Sequence, residues 1–130
     1  KEVHGINIDY LGIWNEAGTS RDYLLALRKA LDDRGFQNVK LVSNDGQPQE
    51  LCPNIVNDRE YIEAIDVLGF HYPNDNQTIW PLCNSLNRPI WSAEESSSYD
   101  DLNGAACWAR VISSHYVINN MSANIIWNLL

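Results

Sequence analysis

Two carboxylates stand where apolar runs break off. Glu16 follows Asn15 at the close of "IDYLGIWNE" (residues 8–16), and Glu94 closes "PIWSAEE" (residues 89–95) with Glu95 beside it. Two carboxyl groups on separate elements are what hydrolysis of a glycosidic bond requires. One protonates the leaving oxygen while the other attacks the anomeric carbon or activates water. An amide next to the acid, as Asn15 is next to Glu16, is suited to a sugar hydroxyl whose hydrogen bond strengthens in the transition state. Trp14, Tyr72 and Trp127 offer flat apolar faces with polar edges, the surface on which a pyranose stacks. His71 ends a third apolar run, "VLGFHYP" (residues 67–73), and is a further candidate for the same site.

These residues need elements to hold them. Between the runs, Tyr23, Leu24, Leu27 and Leu31 fall on one face at helical spacing, which predicts a helix over 19–34 with Ser20 as N-cap and Gly35 as its stop. A strand follows over 38–45 ("NVKLVSND"), broken by Gly46 and Pro48. Helices over 58–65, 79–86 and 105–119 then separate strands over 67–73, 89–98 and 123–130. Five strands alternating with four helices predict an α/β fold with parallel strands and helical crossovers. A doubly wound nucleotide-binding sheet would carry a glycine-rich turn after a strand, and none is present. Polar residues instead gather at strand C-termini: Glu16, Asn44, His71, Glu94, and Trp127 or Asn128. That is where a (β/α)8 barrel keeps its catalytic groups. Such a barrel takes about 250 residues. The 130 residues are therefore expected to be one incomplete domain, 1–130, a piece of such a barrel, with its first and last strands as open edges.

Composition removes other classes. The net charge of −8 leaves no basic surface for a phosphate backbone, so nucleic acid is not an expected partner. No apolar run approaches the roughly 20 residues that cross a bilayer. Cys52, Cys83 and Cys107 lack the C-x-x-C spacing of zinc or redox sites, so neither a metal nor a cofactor is expected, and an odd count leaves one thiol over. The tripeptides Asn76-Gln77-Thr78 and Asn120-Met121-Ser122 have the form of N-glycosylation acceptors and fit a protein of the secretory pathway.

With "GAACWAR" (104–110) and "IIWNL" (125–129) added, the runs ending in Glu16 and Glu95 resemble glycoside hydrolase family 59 across essentially the whole chain. The resemblance implies strands four to eight of a (β/α)8 barrel, with the acid/base after strand four and the nucleophile after strand seven. It implies a lysosomal retaining β-galactosidase acting on galactosylceramide and related galactolipids. A glycosphingolipid would be its substrate partner, with a lipid-transfer activator protein as the candidate that presents it. Matched by motif, Glu16 takes the place of the acid/base and Glu94 that of the nucleophile. Asn15 matches the sugar-binding amide, His71 the strand-six histidine, and Trp127 an aromatic wall of the galactose pocket. Glu95 stands where the family has an aspartate and Ala93 where it has a serine.

Which glutamate acts is then a question of sides. Period-two alternation places Glu94 on the face of Ser92 and sends Glu95 to the other. Two other functions compete: a related barrel glycosidase cutting glucosides, glucuronides or xylosides, and a sugar-binding module without catalysis. Without the missing strands, the isolated 130 residues are expected to be inactive.

Overall fold

The computed structural model describes residues 4–18, 20–73, 78–97 and 101–127. Asn76, Asn128, Thr19 and the last residues of the strand expected over 123–130 lie outside these. Five parallel strands, β1 (Tyr10–Gly12), β2 (Lys40–Ser43), β3 (Val67–His71), β4 (Ile90–Glu95) and β5 (Ala123–Ile126), lie in one sheet in the order of the sequence. A doubly wound sheet reverses its strand order partway, whereas this one never does. It winds in one sense, as the arc of a (β/α)8 barrel, with β1 and β5 at its open edges.

The arc is curled. In a flat sheet, strands three apart stand about 14 Å from one another. Yet the rings of Tyr10 on β1 and Trp91 on β4 meet at a centroid distance of 4.7 Å across the concave side. On the convex side Leu41, Leu68, Phe70 and Ile90 pack against Leu24, Ile55 and Trp80 from the helices and Ile65 from the loop before β3. Burying such side chains contributes roughly 1.5–3 kcal/mol each against leaving them in water. On the concave side Gly69 leaves no room for a methyl group: a Cβ there would come within 2.7 Å of Val42 Cγ1 and 2.9 Å of the Ser43 carbonyl oxygen.

The helices follow the pattern with two departures. Helix α1 (Arg21–Asp32) has Ser20 at its N-cap position, without a hydrogen bond from that side chain, and is followed by Gly35 at φ +80°, a conformation that favours glycine. Tyr23 does not share its buried face. Leu24 takes the core, and Tyr23 lies exposed, edge-on to Trp14 at 5.2 Å. Between β2 and β3 the chain forms two helices, α2 (Pro48–Ile55) and α3 (Arg59–Glu63), so the expected strict alternation fails there. The expected break at Pro48 is in fact a helix start, because the missing N–H of a proline costs nothing at the first position. Gln47 N donates to Glu50 Oε2 at 3.4 Å to close that end. Helix α4 (Trp80–Ser85) is tied to α2 by the Cys52–Cys83 disulfide, and Cys107 is a free thiol. Helix α5 (Leu102–Ser113) begins at Asp101, whose carboxylate accepts from the N–H groups of Asn103 and Gly104, and it ends in a π-helical turn, Ser114–Ile118. No described helix is long and apolar enough to cross a membrane.

Candidate active site

Three strands end on side chains in the left-handed region: Glu16 after β1 (φ +49°), Asn44 after β2 (φ +63°) and Tyr72 after β3 (φ +41°). For residues other than glycine this conformation costs on the order of 1–3 kcal/mol and persists only where neighbours hold it. The neighbours are present. Glu16 N donates to Asp45 Oδ2 at 2.7 Å while Asp45 N donates to the Ala17 carbonyl at 3.2 Å, so the loops after β1 and β2 are latched in both directions. His71 N donates to the Gly46 carbonyl at 3.0 Å, Gln47 Nε2 donates to the His71 carbonyl at 2.7 Å, and Tyr72 N donates to the Glu94 carbonyl at 3.1 Å. Each turn is braced by the next strand's loop.

The end of β4 departs from regular pairing. Phe70 pairs with Ser92, but the next residue, His71, pairs with Glu94, so Ala93 is the extra residue of a β-bulge. This corrects the alternation expected from the sequence. Glu94 does not share Ser92's side: the bulge turns it to the concave face opposite His71, and Glu95 takes the convex side, while the Ser92 hydroxyl donates to the Glu94 carbonyl at 3.2 Å. Glu95 is buried there against His115, whose Nε2 lies 3.4 Å from Glu95 Oε1. Burial holds the Glu95 carboxyl above its ordinary pKa, against the pull of His115 and the Ser92 hydroxyl.

On the concave face the expected residues converge. One side-chain atom each from Glu16, His71 and Glu94 lies within 4.8 Å of the other two. His71 Nε2 stands 3.1 Å from Glu94 Oε1 at ion-pair range, off the line of a hydrogen bond. The Tyr72 hydroxyl, 3.2 Å from the same Oε1 and 3.0 Å from Ser96 Oγ, adds a polar contact that the sequence did not announce. Tyr72 was expected as a stacking platform, and its oxygen is the part that meets the carboxylate. Asp45 was missed as well, although it closes a strand in the same polar fashion as Asn15-Glu16. Trp91, read from the sequence as packing, lines the concave side with Tyr10.

Asn15 and Trp127 stand on the same rim but outside the trio. Both are exposed, and Trp127 is anchored by its backbone N–H, which donates to the Glu95 carbonyl at 2.7 Å. The trio is the one grouping among the described residues close enough to share a cation. Its two carboxylates at this separation, open to the concave side, also suffice for acid/base and nucleophilic chemistry with no added group.

A family model described as Glycosyl hydrolase family 59 matches residues 1–130. The chain is 38% identical over 130 residues to a galactocerebrosidase of Salmo salar and 36% identical to one of Mus musculus. Each match takes in all of this chain and spans 19% of the relative's length. Among solved structures, SrfJ from Salmonella typhimurium superposes with a TM-score of 0.80 at 20% identity, over 98% of this chain and 34% of that one. A glycoside hydrolase family 30 subfamily 8 xylanase from Clostridium acetobutylicum superposes with a TM-score of 0.76 at 19% identity, over 97% and 35%. These two speak to the fold: a partial (β/α)8 barrel.

Proposed function

Because the chain belongs to glycosyl hydrolase family 59, we propose that it carries the catalytic carboxylates of a retaining β-galactosidase that cleaves galactosylceramide and related galactolipids. The observation that carries this reading is the approach of Glu16 and Glu94, from strands three apart, to within 4.8 Å at the C-terminal end of the sheet. Retaining enzymes hold their carboxyl groups about 5–5.5 Å apart, whereas inverting enzymes leave about 6.5–9.5 Å for a water. The spacing favours direct attack.

Glu94 Oε1 faces the Tyr72 hydroxyl and His71, which leaves Oε2 for bond formation. As Oε2 bonds to the anomeric carbon, the bond to the lipid oxygen breaks and Glu16 passes its proton to that oxygen. Water then enters, Glu16 takes its proton, and the glycosyl ester is cleaved to free galactose and the Glu94 carboxylate. Asn15 and Trp127, on the rim beside the pair, are assigned to holding the sugar. The galactosylated sphingolipid is the substrate, with a lipid-transfer protein to present it. The Cys52–Cys83 disulfide supports passage through an oxidising compartment on the way to the lysosome. Residues 1–130 form the C-terminal part of the catalytic barrel, inactive without the strands that close it.

The test is mechanism-based labelling of the full-length protein with a 2-deoxy-2-fluoro-β-galactosyl fluoride, followed by peptide mass spectrometry. The expected outcome is a label on Glu94. A label on Glu95 would exchange the roles of the two glutamates. Faster labelling by the gluco-configured reagent would move the substrate to a glucoside. Folded protein that binds galactose and takes no label would make the site a binding module.

A further inference from the structure

A histidine outside the concave site touches both of the strand ends that build it. His115 is 2% exposed, at the second position of the π-helical turn. The three residues after it, Tyr116, Val117 and Ile118, are all exposed. Its Nδ1 pairs with Asn124 Oδ1 on β5. Its Nε2 lies 3.2 Å from the Pro73 carbonyl oxygen and 3.4 Å from Glu95 Oε1. A carbonyl oxygen only accepts, so Nε2 carries the hydrogen and donates to Pro73, with the Glu95 carboxylate beside it at ion-pair range. Pro73 directly follows Tyr72, whose hydroxyl is 3.2 Å from Glu94 Oε1, and Glu95 directly follows Glu94.

We propose that His115 is a positioning residue for the nucleophile: its Nε2–H holds the backbone behind Tyr72 while the same ring edge stands at ion-pair range of the side chain behind Glu94, and so sets where these two groups meet on the opposite face of the sheet. This rests on the reading of Glu94 as nucleophile. A polar ring buried among polar partners is a costly way to fill space that an apolar side chain would fill as well. What it adds is direction. The bulge at Ala93 leaves β4 without regular pairing at this point, and His115 ties the loosened end from behind. A shift of about 1 Å in a reacting group is enough to cost on the order of 100-fold in rate.

The experiment compares the rate of Glu94 labelling by the 2-deoxy-2-fluoro-β-galactosyl fluoride in full-length wild type, H115L and H115Q, each normalised to folded protein by its thermal melt. Gln reaches about as far as the imidazole Nε2 and keeps a donor, while Leu fills similar space without one. H115L is expected to label on the order of 10- to 100-fold more slowly with galactose affinity unchanged, and H115Q to recover to within about threefold of wild type. Equal rates in H115L and wild type, or equal losses in H115L and H115Q, would overturn the proposal. If H115L does not fold, H115N, too short to reach either acceptor, carries the same expectation. Failure of both to fold would make the role purely structural and overturn the proposal too. A wild type that takes no label refutes the reading of Glu94 itself, and the proposal falls with it.

Discussion

Two glutamate–histidine pairs lie side by side at the end of β4, back to back across the sheet. Glu94 and His71 approach to 3.1 Å on the concave face with side chains 15% and 17% exposed, while Glu95 and His115 approach to 3.4 Å on the convex face at 7% and 2%. Residue types and spacing are nearly the same, so neither explains a difference in role. Surroundings do. The concave pair has the exposed Glu16 within 4.8 Å. The convex pair is enclosed by helix and strand, where the loss of water by the carboxylate outweighs what the histidine and the neighbouring polar groups return. One residue decides which glutamate receives which surroundings, because without Ala93 as a bulge the strand's alternation would turn Glu94 inward among the helices.

The sharpest way to break this comparison is to neutralise each glutamate in turn in the full-length protein and measure hydrolysis of an aryl β-galactoside. Glu94→Gln removes the proposed attacking group and is expected to lower turnover by on the order of 10³-fold or more. Glu95→Gln keeps an acceptor for His115 and is expected to lose less than about tenfold, the range of a positioning effect. Losses of equal size would mean that the bulge does not separate the two roles.

A smaller effect sharpens the concave side alone. Tyr72→Phe keeps the ring, which packs against His71 at a centroid distance of 4.4 Å, and deletes only the hydroxyl facing Glu94 Oε1. A hydrogen bond to a charged group contributes roughly 1.5–3 kcal/mol, so kcat/KM for the same substrate is expected to fall by about 10- to 100-fold. An unchanged kcat/KM would reduce Tyr72 to the stacking platform that its sequence position first suggested.

What the sequence conveyed about these faces depended on how local the determining physics is. The strands, α1 and the polar strand ends at Glu16, His71 and Glu94 were legible, because period-two and period-3.6 patterns and terminal polar residues are written in consecutive positions. Helix α2 was not, because Pro48 breaks a helix interior but begins one freely, and the letter alone does not say which. The bulge was hidden for a different reason. Ala93 becomes the extra residue only through pairing with β3, a contact between segments far apart in the chain. The Asp45 latch on Glu16 and the reach of His115 to Pro73 are contacts of the same kind. The resemblance of "PIWSAEE" to its family singles out Glu94, which lies opposite His71 and within reach of Glu16, whereas period-two alternation placed it on the side of Ser92.

The smallest expected effect tests the convex side without reference to catalysis. Burial raises the Glu95 carboxyl above its ordinary value of 4.5, which it keeps in the unfolded chain. Below that value the group is protonated whether the chain is folded or not, and it makes no difference to stability. As pH rises through 4.5 the unfolded chain releases this proton more readily than the folded one, so the folded state binds more protons and its stability falls until the folded carboxyl has ionised too. Gln at this position never ionises. The melting temperature of Glu95→Gln, taken relative to wild type in the full-length protein, is therefore expected to be higher at about pH 7 than at about pH 4, with the difference opening as the carboxylate forms. The opposite trend, a deficit that grows toward neutrality, would mean that His115 more than repays the buried charge. Glu95 would then be an ion-pair anchor, and the two pairs would differ in access to the sugar but not in how they hold their charge.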